Sequence, residues 1–324
     1  MVRVAIAGGS NGLGRVITSA IVSEGKHDVF VLSRRAATED KTNSALNLQV
    51  DYTDPDKIAQ VLTENKIEVV ISAIGVLFED THLAQMNLIE GAERSSTVRR
   101  FAPSDFGIDY VEADKQGYPC VVPGLEGYKG SKYKLQALER VKATKLEYTR
   151  YVIGFLMDYY GFPAETIPVQ PLAVILDMDN HAAAIPGTGN DKITLTHSET
   201  IGKFVSASLD LEKWPETSWI IGDTLTWREA LEIVQDAQHK EFDVKFDSEE
   251  ALKASQITEL PANIPRYAIA GKPFLSGILS VWSLGFIWGW FDISSAKGED
   301  KALNEILPQV ETLSFATYIK RCWQ

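Results

Sequence analysis

Short apolar runs alternate with longer amphipathic stretches through the first half of the chain. Val2–Ala7, Val29–Leu32, Leu48–Val50, Val69–Ser72, Arg100–Ala102 and Glu147–Val152 predict strands. Between them, Gly14–Ser23, Pro55–Glu64, Thr81–Glu93 and Ser131–Ala143 carry their apolar residues at helical spacing. Such alternation predicts an α/β fold of Rossmann type, a doubly wound parallel sheet with helices on both faces. After Gly154 the rhythm changes: Pro163, Pro168, Pro171, Pro186, Gly187 and Gly189 break the pattern, and helices return only at Thr226–His239 and Ser248–Ser255. We therefore expect a dinucleotide-binding domain over residues 1–155 and a smaller, partly discontinuous α+β lobe over 156–324. Short strands at Leu172–Leu176, Lys192–Leu195 and Trp219–Ile221 are expected to return to the edge of the main sheet.

The first strand runs into Gly8, Gly9, Gly12 and Gly14 and then into a helix. That order lets the backbone turn sharply and approach a pyrophosphate at a helix N-terminus. Gly8, Ser10, Asn11, Gly12, Leu13 and Gly14 are accordingly candidate cofactor contacts. The second strand ends in Ser33-Arg34-Arg35 rather than in an acidic residue. A guanidinium matches a ribose 2′-phosphate in charge and geometry, where a carboxylate would repel it, so NADPH/NADP+ is expected over NAD. The alternative for the arginines is a solvated basic loop. Asp51 and Tyr52 follow the third strand, where adenine passes, although a helix-start turn capped by Asp54 with Pro55 behind it explains them equally. Ala73, Ile74 and Gly75 are small or flat residues after the fourth strand, against which a cofactor can lie.

Tyr128 and Lys132 form a Y-x-x-x-K pattern, and residues four apart share a helix face. A nearby ammonium favours the phenolate and makes the phenol a better proton donor, so Tyr128 and Lys132 are candidate catalytic residues. Gly130 between them can leave Tyr128 just outside the helix. Pro103, Ser104, Asp105 and Phe106 follow the fifth strand at the carboxyl edge, where open sheets bind ligands. Ser104 is a candidate for bonding substrate or nicotinamide, and a turn serine otherwise; Asp105 and Phe106 are candidate substrate contacts.

Charge and composition narrow the partners. The chain has 324 residues and a formal net charge of −12, which argues against nucleic acid and anionic membrane surfaces. Cys120 and Cys322 are far apart, and His181 and His197 lack ligand spacing, so we expect free thiols, no metal and a cytoplasmic location. No signal peptide is expected from the short, Arg3-containing apolar start. Phe274–Phe291 is uncharged but diluted by serine and glycine, which predicts a buried or pocket-lining helix rather than a membrane span.

The motifs AGGSNGLGRVI, SRR, SAIG, RFAPSDFG, GSKYKLQALE and LEYTRYVIGFLMDYY, with LTHSETIGKFVSASLDLEKW and WIIGDTLTWREALEIV later, resemble the NmrA-like and isoflavone-reductase-like family of atypical short-chain dehydrogenases/reductases. The resemblance spans most of the chain. It implies an NADPH-dependent oxidoreductase, with the family's G-x-x-G-x-x-G falling on Gly8, Asn11 and Gly14. Asn11 stands where the family has glycine, and asparagine tolerates the left-handed conformation such a turn can require. The family's active-site lysine falls on Lys132, with Lys134 as second choice. Phe155 matches an aromatic near the nicotinamide, flanked by Val152 and Gly154.

Phe155, Met157, Tyr159, Tyr160, Phe162, Trp282, Phe286, Trp288 and Trp290 are expected near the substrate, although aromatics commonly fill cores instead. Of these, Phe155, Tyr159, Tyr160, Trp282 and Phe286 are the candidate substrate contacts. Flat rings suit a small-molecule aromatic or alkaloid-like ligand. Two readings follow: a reductase of a carbonyl, imine or conjugated double bond, with or without a coupled cyclisation or rearrangement, or a non-catalytic NADP(H) sensor of the NmrA type. The lysine, the tyrosine and the aromatics together favour the enzyme. The sequence leaves monomer and homodimer equally open.

Overall fold

Six parallel strands build the main sheet in the computed structural model, which describes residues 1–35, 45–118, 122–294 and 301–324. They are β1 (Arg3–Ala7), β2 (Asp28–Ser33), β3 (Leu46–Gln49), β4 (Val69–Ser72), β5 (Arg100–Ala102) and β6 (Glu147–Tyr148), in the order β3-β2-β1-β4-β5-β6. The helices α1 (Gly12–Glu24), α2 (Pro55–Glu64), α3 (Glu79–Arg94), α4 (Tyr110–Lys115) and α5 (Gly130–Lys142) lie in the connections. Alternation along β1 shows why both sheet faces are apolar. Val4 and Ile6 face a core with Ile17 and Ile21 of α1, while Ala5 and Ala7 face one with Ile58, Leu88 and Leu138. α2 starts as its sequence dictates, with Asp54 accepting from the N–H groups of Asp56 and Lys57 and Pro55 in the first turn.

The run expected as one strand over Glu147–Val152 divides at Thr149. β7 (Arg150–Val152) pairs in parallel with Thr217–Trp219, and β8 (Phe155–Leu156) pairs with Lys192–Thr196. None of the three expected returns joins the six-stranded sheet: the one near Trp219 pairs only with β7, and Lys192–Thr196 lies between β8 and Asp223–Thr226 in a three-stranded sheet of its own. Leu176 instead joins a separate small sheet with Ala182–Pro186 and Asp243–Asp247. The second half also closes the first: α6 (Ser198–Ser208) packs on α1, placing Ile201, Phe204 and Val205 in one core with Ile17 and Ile21.

The uncharged segment near residue 280 forms the helix Lys272–Ile287, whose Leu275, Leu279, Leu284 and Phe286 enter one core with Ile108, Phe155, Trp227 and Phe315. Among the described residues no helix is long and apolar enough to cross a membrane. Phe286 is fully buried against Phe155, Trp227 and Phe291. Phe286→Ala is therefore expected to cost about 3–5 kcal/mol of stability in urea unfolding. A loss under about 1 kcal/mol, the range of surface changes, would show that the ring borders open space.

Candidate active site

The turn after β1 is built on close backbone approach. A Cβ on Gly14 would collide with the carbonyl of Gly8, and the helix end therefore sits directly on the turn. Thr18 locks it from below, its hydroxyl donating to the carbonyls of Gly14 at 2.8 Å and Gly9 at 3.2 Å. Asn11 does not adopt the left-handed conformation: it is extended at φ −137° and ψ 166° and precedes α1, while Gly12 takes the positive φ of 52°. Substituting asparagine for the family's glycine is thus free of strain, because that position needs no special backbone. Ser10 is exposed, and Leu13 packs partly into the core beside α1. The N–H groups at the start of α1 fit a pyrophosphate in this cradle.

The tip of β2 carries the residues expected from the sequence to meet a 2′-phosphate. Arg34 and Arg35 are exposed and Ser33 is half-buried, its Oγ accepting from Arg35 N–H at 3.1 Å. Arg34 lines an open cleft of about 1040 Å³ together with Gln49, Asp51, Tyr52, Lys57 and Asn87. The cleft wall is fixed by Gln49 Nε2 donating to the Arg34 carbonyl at 3.3 Å, Tyr52 to the Leu32 carbonyl at 3.2 Å, and Asn87 to the Tyr52 carbonyl at 2.9 Å. Asp51 accepts from Thr53 and pairs with Lys57 at 3.5 Å, and the Thr53 bonds hold its carboxyl below the usual range. Ala73 and Ile74 are half-buried and Gly75 is exposed along the neighbouring edge.

At the opposite end, the two candidate lysines are placed differently. Lys132 is exposed. Lys134 turns inward, and its Nζ donates to the carbonyl of Ser104 at 3.0 Å and to that of Asp105. Two residues apart on a helix point in nearly opposite directions, and α5 buries Tyr133, Ala137, Leu138 and Val141. Burial pushes the Lys134 ammonium below its ordinary pKa, partly opposed by Asp105.

Tyr128 lies before α5, which begins at Gly130. Its phenol rests against Gly130, and burial raises its pKa; the lowered phenol expected from a helix partner is absent. Another phenol is better placed. The ring of Tyr110 has Lys134 Nζ 5.0 Å from its centroid, and its hydroxyl sits against Gly107. Gly107 pairs with Val152, so Tyr110 stands at the carboxyl ends of β5 and β7. Its pKa is raised well above the ordinary value, mainly by burial.

Ser104 is buried; its N–H donates to Gln85 Oε1 at 2.9 Å, and it meets Lys134 through its carbonyl. Pro103 is buried beside it. Asp105 is buried. Its carboxylate lies 3.8 Å from Arg150 Nη1, which holds Asp109 at 2.7 Å while Arg150 Nε donates to Thr217 at 3.1 Å. Burial raises the Asp105 pKa, against the pull of Lys134 and Arg150. Phe106 stacks on Tyr151 with centroids 5.4 Å apart and packs against the core. Asp105 is thus engaged by Arg150 and Phe106 by Tyr151, where the sequence reading expects substrate contacts. The arginine behind them was missed, although a charge inside the apolar run YTRYV was its signal.

The aromatics divide in the same way. Tyr160 and Phe286 are fully buried, and Tyr160 packs on Trp227 and Phe315, so neither lines a cleft. Met157 and Trp290 are also buried. Phe155 is mostly buried, stacked on Tyr159 at 5.2 Å and met edge-on by Trp282 at 5.5 Å. Tyr159 and Trp282 are half-buried and keep ring surface outside the core. Val152 faces a small core with Trp219, and Gly154 has a positive φ of 70°, so these two can meet a ligand only through backbone. Cys120 lies outside the described residues, whereas Cys322 is free and half-buried. Among the described residues no cluster of three metal-ligating side chains occurs.

Residues 8–167 match an NAD(P)H-binding family profile. The chain is 35% identical over 236 residues to Oxidoreductase BOA1 of Botryotinia fuckeliana, covering 72% of this chain and 75% of that one. It is 28% identical to Oxidoreductase swnN of Metarhizium robertsii over 100% of this chain and 98% of the relative. It is 23% identical to Isoflavone reductase homolog P3 of Arabidopsis thaliana over 98% and 97%. Among solved structures, AtPrR2 with NADP+ and (+)pinoresinol superimposes with a TM-score of 0.74 at 20% identity, covering 99% of this chain and 98% of that one. The leucoanthocyanidin reductase–NADPH complex from Vitis vinifera gives 0.73 at 20% identity, covering 98% of each.

Proposed function

Because the chain belongs to the isoflavone-reductase-like family of atypical short-chain dehydrogenases/reductases and is an NADPH-dependent reductase, we propose that it reduces a carbonyl, imine or conjugated double bond of a bulky aromatic or alkaloid-like specialised metabolite. The observation that carries this reading is the half-buried Lys134, whose ammonium lies over the Tyr110 ring at the carboxyl ends of β5 and β7. When bound, NADPH would supply a hydride. The residues of the chain do the rest. Arg34 and Arg35 bind the 2′-phosphate, and Gly8, Gly12 and Gly14 let the pyrophosphate approach. Lys134 holds a proton at Nζ for the oxygen or nitrogen that gains negative charge, and its lowered pKa eases release. Tyr110, kept protonated by burial, donates a hydrogen bond to the same atom.

Tyr159 and Trp282, backed by the buried ring of Phe155, offer flat apolar contact, which supports an aromatic ligand. The (+)pinoresinol held by AtPrR2 supports the same class. In this reading, reduction also serves to unmask an intermediate that cyclises or rearranges within the site. The separated cysteines support a cytoplasmic location. The test is turnover of aromatic ketones, cyclic imines and aryl enones with NADPH deuterated at the nicotinamide C4. Deuterium on carbon of one class is the expected outcome. Bound NADPH that is never consumed by any class would overturn the reading.

A further inference from the structure

The glycine turn is also touched by the second lobe. A Cβ on Gly12 would lie 3.1 Å from the carbonyl oxygen of Pro168. Pro168 belongs to the segment 162–171, which leaves the short helical turn Met157–Gly161 and reaches back to the N-terminus of α1. Its root is tied to the C-terminal helix Phe315–Trp323. Tyr318 donates to Glu165 Oε1 at 2.5 Å, and Arg321 Nη2 to Glu165 Oε2 at 3.4 Å. Trp323 Nε1 donates to the Tyr160 carbonyl at 2.8 Å, just before the segment. Gly161 has no room for a Cβ because the Tyr318 hydroxyl occupies it.

We propose that residues 162–171 are a clamp on the dinucleotide: a wall of the pyrophosphate site given by the second lobe and held in place by Glu165 between Tyr318 and Arg321. The proposal rests on NADPH lying at the glycine turn and is independent of which substrate is reduced. Gly12 serves it twice. A side chain there would be strained at φ 52° and would also prop the segment away. A wall over the N–H groups of α1 keeps water from the phosphates and strengthens their bonds to the helix end. It must part for the cofactor to leave, so its loosening shows in dissociation rather than in association. Glu165 is a positioning residue, acting through the segment rather than touching the ligand.

The experiment is stopped-flow displacement of NADPH from the full chain and from Glu165→Ala, with adenosine 2′-monophosphate as a ligand that lacks the pyrophosphate. We expect NADPH to dissociate about tenfold faster from the variant, with affinity for adenosine 2′-monophosphate unchanged. Glu165→Gln, which keeps an acceptor for Tyr318, should show a smaller rise. An unchanged NADPH rate would overturn the clamp, and so would equal weakening of both ligands, which marks general loosening. Should the variant not fold, hydrogen exchange of the peptide spanning 162–171 in the unmodified protein decides: slowing by saturating NADPH supports the clamp, and no slowing overturns it. Absence of any NADPH binding to the unmodified protein would instead refute the cofactor assignment.

Discussion

Lys134→Ala is expected to lower kcat by about 10²–10⁴-fold, the range for losing a positioned proton donor, while Lys132→Ala leaves it within about twofold, as surface changes do. Lys134 meets the loop after β5 through the carbonyls of Ser104 and Asp105, whereas Lys132 is exposed. NADPH affinity should change much less than kcat in Lys134→Ala, because the turn and Arg34 are untouched. The pH profile gives the sign. Burial lowers the Lys134 pKa from the model-compound value of 10.5. Activity carried by the ammonium is therefore full at lower pH and lost as pH rises through that depressed value, producing an alkaline limb below 10.5. Lys134→Arg should keep charge and remove that limb. Steady-state kinetics across pH for the three variants checks all of this; equal kcat for Lys134→Ala and the unmodified enzyme would remove the lysine from the mechanism.

The second large effect concerns cofactor choice. Arg34→Ala is expected to weaken NADPH binding roughly tenfold while NADH binding changes by less than about twofold. Hydrogen bonds to charged groups are worth about 1.5–3 kcal/mol, and the exposure of Arg34 puts the expected loss at the lower end because solvent and salt screen it. Combining it with Arg35→Ala should enlarge the loss, and added salt should shrink it. Fluorescence titration with both nucleotides reads the ratio directly. Equal weakening of NADPH and NADH would make the arginines structural.

Much of the fold is legible in the sequence because periodicity reports burial. A sheet covered on both faces needs apolar residues of both parities, and β1, β2 and β4 carry them. The turn was legible for a similar reason, since only glycine permits the contact between residues 8 and 14. The lysine was harder. Lys132, Gln136 and Glu139 share the polar face of α5, opposite the stripe Tyr133, Ala137, Leu138 and Val141. That stripe is in the sequence and places Lys134 on the inward side, whereas the Y-x-x-x-K spacing points to Lys132; the spacing sets no shared helix face because Tyr128 precedes α5. Tyr110 carried no local signal: its place beside Lys134 depends on how α4 docks on α5. Two of the five aromatic candidates fall in the core for another reason. Composition counts rings without saying which meet each other, and Tyr160 and Phe286 are consumed by the core. Asp105 likewise reads as a site carboxylate until Arg150 is found beside it.

A crystal structure of the NADP+ complex tests the central claim most directly. The account predicts the 2′-phosphate on Arg34, the pyrophosphate at the start of α1, and the nicotinamide ribose within hydrogen-bonding reach of Lys134 Nζ, with Tyr110 on the same side and Lys132 in solvent. A nicotinamide lying away from Lys134, or one held by Lys132, would contradict it.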